Sequence, residues 1–114
     1  MSITYEIPFM KKPTTATEET LRQCLDDVEV VTGVKPDEIM QRTRGYENVC
    51  IARFFIYTML REHANMYSYI QIGKAMGRHH GAVISGITKL KDRLTYDKRV
   101  IAKAKLLRQK GYAV

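Results

Sequence analysis

The chain has 114 residues, the size of one domain, and its 45% hydrophobic and 27% charged content exclude a mainly disordered or low-complexity protein. Its formal charge of +7 is unevenly divided, residues 1–40 summing to −4 and residues 41–114 to +11. No stretch approaches the ~18 apolar residues that span a bilayer, and the amino end has neither a basic start nor a long apolar segment, so a soluble cytoplasmic protein is expected.

Residues 1–13, with two of the three prolines and the alternation Ile3, Tyr5, Ile7, Phe9, read as an extended arm ahead of a single domain over 14–114. Thr14, Thr15 and Thr17 offer hydroxyl caps before Glu18 and Glu19, and a helix is expected from about residue 18 to 32. Its stripe is Leu21, Cys24, Leu25 and Val28, and Gly33 is its stop. Pro36, Asp37 and Glu38 begin a short helix that carries Ile39 and Met40 inward.

Gln41 to Tyr46 form a basic loop containing Arg42 and Arg44. The longest helix follows, from about 46 to 64, with Ala52, Phe55, Ile56, Met59, Leu60 and His63 at the spacing of one buried face. His63, at the end of that stripe, reads as a packed or half-exposed histidine. Cys24 and Cys50 both lie in apolar helical patterns and read as small buried hydrophobes, with no disulfide framework.

Residues 68–94 have the spacing of a helix-turn-helix. With Gly77 in the turn, Ile72 and Met76 fall on the inner face of a first short helix, and Gly73 where it must approach the second closely. Val83, Ile87, Leu90 and Leu94 then line the buried side of the second helix. Residues near the start of such a helix reach base edges in the major groove, and here they are Arg78, His79, His80, Gly81 and Ala82. Arginine can fork onto guanine, histidine can donate or accept, and the small pair leaves room for close approach or a thymine methyl. The plainer alternative is that Gly81 and Ala82 merely permit close packing and Arg78 is solvated; spacing and charge together favour DNA binding over it. Lysines and arginines downstream, among them Lys89, Lys98, Lys103, Lys105 and Lys110, raise the local potential and favour double-stranded DNA as partner.

From about Leu21 to Leu94 the chain resembles the carboxy-terminal DNA-binding domain of the bacterial replication initiator DnaA. The resemblance rests on IGKAMGRHHGAVISGITKL at 72–90, on IARFFIYTMLRE at 51–62 and on the Arg42-Thr43-Arg44 loop. It implies a minor-groove arginine at Arg44, a phosphate contact at Arg53, a major-groove face at Arg78, His79, His80, Gly81 and Ala82, and a phosphate near the backbone amides at Ser68. His79 stands where the family has aspartate, and Gly81 and Ala82 where it has two threonines, so the family's own binding box is not inherited. These residues hold no phosphate-binding Gly-x-x-x-x-Gly-Lys segment, so no ATP hydrolysis of the kind full-length initiators carry out is expected of them.

No catalytic, metal or cofactor site is expected. His79 and His80 are adjacent and diverge on a helix, and Asp26 and Asp27 face apart on a solvated side. Nor is a small-molecule substrate expected. Tyr67, Tyr69 and Tyr96 offer no identifiable stacking platform for RNA. The expectation is an all-α domain of five or six helices, nucleoid-associated, that binds duplex DNA as an initiator or regulator. The rival is an adaptor that docks on replication or transcription proteins through its acidic helix and arm, its DNA surface vestigial.

Overall fold

The computed structural model of the chain describes residues 13–41, 45–62 and 67–114, and for 13–17 the backbone alone. These residues form six helices and no strand: α1 (Pro13–Thr32), α2 (Pro36–Met40), α3 (Glu47–Glu62), α4 (Tyr69–Met76), α5 (His80–Arg93) and α6 (Lys98–Gln109). None of them is long and apolar enough to cross a membrane. The arm over 1–12, the Arg42-Thr43-Arg44 loop and His63 lie outside the described residues.

α1 begins five residues before the expected start. Proline is well suited to a first helical position, where its missing N–H is not needed, so Pro13 opens the helix and the expected caps Thr14, Thr15 and Thr17 lie within it. The helix ends at Gly33, whose φ of 77° is left-handed and whose amide bonds back to the Glu29 carbonyl.

α3 is the strut. Every residue from Phe55 to Leu60 is buried, which requires neighbours on all sides, and α1, α2, α4 and α5 all pack against it. Thr58 survives there because its hydroxyl donates to the Phe54 carbonyl at 3.0 Å. Burying Phe55, Ile56, Met59 and Leu60 contributes about 1.5–3 kcal/mol per side chain before conformational entropy is subtracted.

The bend between α4 and α5 is built by two glycines. Gly77 adopts φ 65° and ψ 36° at the end of α4, and the Arg78 amide donates to the Gly73 carbonyl at 2.7 Å. A Cβ on Gly73 would come within 2.4 Å of the Arg78 carbonyl oxygen, so the two helices meet backbone to backbone. Gly86 makes room for α3 differently, by letting two aromatic side chains lie against the α5 backbone. A Cβ there would lie 2.6 Å from the Phe54 ring and 2.7 Å from that of Tyr57.

At the far end, α6 packs on α1, and Tyr112 donates a short hydrogen bond to the Asp27 carboxylate. Asp27 is therefore half-buried against the carboxy-terminal tail, not on a solvated side as its sequence context suggests. Beside it, burial and the Asp27 charge push the Cys24 thiol up from its ordinary value near 9 to about 12.

Two outcomes follow. Gly73→Ala costs about 1–3 kcal/mol because backbone must move, against about 1–2 for Gly77→Ala, where only the left-handed φ is strained; urea midpoints rank the two. The folded state holds the Cys24 proton more tightly than the unfolded chain, so this stabilisation is complete below pH 9 and is lost towards pH 12. Thermal melts across that interval detect the loss, and Cys24→Ala flattens the part of the slope that belongs to the thiol.

Candidate functional site

The resemblance assigns Arg53 to a phosphate, but this side chain is only 3% exposed. Its guanidinium donates to the carbonyls of Ile39 at 2.7 Å, Gln41 at 3.0 Å and Glu38 at 3.2 Å. These are carbonyls at the end of α2, where the helix runs out of N–H donors and only Glu38 accepts a further backbone amide, that of Gln41 at 3.4 Å. A planar fork with five donors suits such a cluster, and Arg53 holds α2 and the start of the basic loop onto α3. Burial, and then the nearby charge of Arg78, lower its hold on the proton. The phosphate assignment is corrected accordingly.

Arg78 converges on the same place from the α4–α5 bend. One of its terminal nitrogens makes a short hydrogen bond to the Gln41 carbonyl, so Gln41 receives both arginines. The residue before Arg42 is thereby tied to the residue before His79. Arg78 is half-buried, and its assigned base contact competes with this internal bond.

His79 is the N-cap of α5, its Nδ1 accepting from the Gly81 amide at 3.1 Å. The imidazole thus serves as an acceptor within the protein. Gly81 has a physical reason to lack a side chain: a Cβ there would lie 3.1 Å from that nitrogen. The rings of His79 and His80 sit against each other, centroids 4.3 Å apart and tilted by 31°. His79, His80 and Ala82 are exposed and Gly81 is half-exposed, so the leading end of α5 is uncovered.

Ser68 caps α4 in a reciprocal box with Gln71. The Gln71 amide donates to its hydroxyl at 3.1 Å, and its own amide donates to the Gln71 side-chain oxygen at 2.9 Å. Those two amides are already served, which leaves fewer at this helix end than the assignment of a phosphate to Ser68 assumes.

Between α3 and the outer face of α5 runs a groove bordered by Gly45, Cys50, Phe54, Ala82, Ser85 and Lys89. Cys50 lines it half-exposed, not fully buried as its apolar pattern suggests. At its end Arg93 pairs with Glu47 at 2.5 Å and with Asp97 at 3.1 Å, joining α5 to the starts of α3 and α6. Tyr67 is buried, Tyr69 lies half-buried with the Arg61 guanidinium 4.5 Å from its ring centre, and Tyr96 is exposed; the three do not form a common face for stacking.

Sequence reasoning missed three of these roles. Gly86 sits on the stripe Val83, Gly86, Ile87, Leu90, and that position is a readable sign of close packing. A histidine next to a helix start, two residues before a glycine, is a weaker sign of a cap. The burial of Arg53 has a sign too, since it occupies one face with Cys50, Tyr57 and Leu60 on an otherwise apolar helix. Among the described residues no group of three or more His, Cys, Asp or Glu could hold a metal ion.

Removing Arg53 takes the side-chain donor from the Ile39 carbonyl and leaves Gln41 to Arg78 and Glu38 to the long Gln41 amide bond. Arg53→Ala costs about 3 kcal/mol or more and Arg53→Lys about 1–2, measured by denaturant unfolding. Hydrogen exchange near Gln41 accelerates in both variants. Comparison with models of known families, with curated proteins and with solved structures finds no match for this chain.

Proposed function

We propose that this protein binds double-stranded DNA, with α4 and α5 acting as a helix-turn-helix and the leading end of α5 entering the major groove. His79, His80, Gly81 and Ala82 are the groove-facing residues. Arg44, from the basic loop that also carries Arg42, reads the neighbouring minor groove, and Arg42 and exposed lysines such as Lys89 add DNA contacts. In this reading the chain is a DnaA-like initiator or regulatory domain associated with the nucleoid, and it carries out no catalysis.

The observation that supports it most is the joint position of two features. The start of α5 is uncovered, and Arg78 bonds to Gln41, so the flank of the basic loop lies beside that uncovered end. A duplex needs both within reach, because its two grooves are separated by a single phosphate backbone. Arg53 acts inside the protein in this account and holds the loop's flank. Readout at the tip is thin. Gly81 and Ala82 offer no hydroxyl or charge, and His79 spends one ring nitrogen on its cap. The preference among sequences is correspondingly modest, since a bidentate base contact brings ~1–3 kcal/mol of discrimination and few are on offer.

Mobility shifts against a specific site selected from random duplexes, and against unrelated DNA, test the mechanism. Ala82→Glu puts a carboxylate at the exposed tip and weakens all binding by about tenfold or more while leaving the melting temperature unchanged. Arg44→Ala flattens the preference between sequences, and Lys89→Ala lowers affinity for every sequence alike and reduces the salt slope by about 1. Wild-type affinity for all three variants would discard the reading.

A further inference from the structure

On the side of α1 away from α6 lies a second groove, between α1 and α2. Leu21, Leu25, Pro36 and Met40 line it with apolar surface. Its rim carries Glu18, Glu19, Asp26 and Asp37, against the single cation Arg22. None of the four carboxylates forms an ion pair among the described residues. An apolar trough edged by unpaired acids suits an apolar knob set among cations.

The chain carries that knob itself. Leu106 on α6 is 47% exposed, and the residues three and four positions away on the same helix surface are Ala102, Lys103, Gln109 and Lys110. Lys105 and Arg99 extend the same cationic face. Within one molecule the knob cannot reach the trough. α6 and its tail hold the flank of α1 that includes Asp27, through the Tyr112 hydroxyl, whereas Glu18, Arg22 and Asp26 lie round the helix on the other flank. Between molecules no such obstacle exists.

We propose that copies of this chain associate head to tail, the Leu106 knob of one seated in the α1–α2 trough of the next. The two halves of the contact differ, so the interface is heterologous and leaves a free knob and a free trough at the ends, able to extend a row beyond a dimer. One helix across one short trough is a small contact, at the low end of interface sizes. The association is therefore weak in free solution and falls with salt. On a duplex it becomes cooperative, because neighbouring copies are held at high local concentration; this last consequence alone rests on the DNA-binding reading.

Sedimentation equilibrium of the full chain without DNA tests it, at about 50 mM salt and up to ~1 mM protein. The wild type shows concentration-dependent growth in mass beyond a dimer, reversed by salt. Leu106→Glu removes the knob, and Glu19→Lys with Asp26→Lys reverses the rim; each protein alone associates about tenfold more weakly, with an unchanged melting temperature because all three side chains are exposed. Mixed in equal amounts, the two variants recover one contact, from the intact knob of one to the intact trough of the other, and stop at dimers. A monomeric wild type, variants that associate like the wild type, or a mixture no larger than its parts would each overturn the proposal. None of these results depends on whether the protein binds DNA.

Discussion

The buried guanidinium of Arg53 is the constraint from which the geometry of the candidate surface follows. α2 is only five residues long and ends without the glycine that would fold its last carbonyls back, Gln41 instead turning into extended backbone at ψ 147°. Those carbonyls need donors, and α3 supplies most of them from a single side chain. Burying a charge is costly, and Arg53 is tolerated because several acceptors surround its guanidinium. Arg78 arrives at the same carbonyl from the α4–α5 bend. Two cations on one oxygen repel, and Arg53 spreads its donors over two further carbonyls; the result is a junction that ties α2, α3 and the bend together.

That junction also explains which parts of the structure were legible in the sequence. Periodicity marked α3 and α5 well because their buried stripes are long and apolar, and the pair Gly73 and Gly77 marked the bend because only glycine satisfies either position. Arg53 was misread for a physical reason. Its charge points outward in any reading by composition, and the acceptors that draw it inward lie 12 to 15 residues earlier in the chain, beyond the reach of local pattern. The start of α1 was misread in a similar way. Three threonines are better caps than helix formers by local preference, yet proline at the first position and a long packed face downstream carry the helix through them.

The tip of α5 shows how one pair of residues can hold two meanings. Histidine and glycine at 79 and 81 look in isolation like a sparse base-reading surface. In the fold they are a matched pair, the imidazole capping the helix and the glycine leaving space for the ring. A helix that projects without packing needs its first amides satisfied from within, since no neighbouring element will do it. The residues that stabilise such an end and the residues that could read a base are therefore drawn from the same few positions. Stability takes part of the chemistry that recognition would use.

A parallel division runs through the cations. Of the arginines described after residue 44, Arg53, Arg61, Arg78 and Arg108 donate to backbone carbonyls and Arg93 pairs with two carboxylates, whereas Arg99 shows no such bond to a described residue. The lysines behave differently. Lys74, Lys89, Lys91, Lys98, Lys105 and Lys110 are all exposed. The forked, planar group is spent on fixed acceptors inside the protein, and the compact, strongly hydrated ammonium is left for solvent. The outward positive potential is therefore carried mainly by point charges without directional preference. Such a surface attracts any polyanion with a steep dependence on salt, and it does not tell one sequence from another. Under the DNA-binding reading, whatever selectivity the protein has must come from the few residues at the start of α5 and from the basic loop beside it, set against a large sequence-blind background. A weak contact between neighbouring copies would alter that balance, because a row of molecules multiplies small preferences that a single tip cannot express.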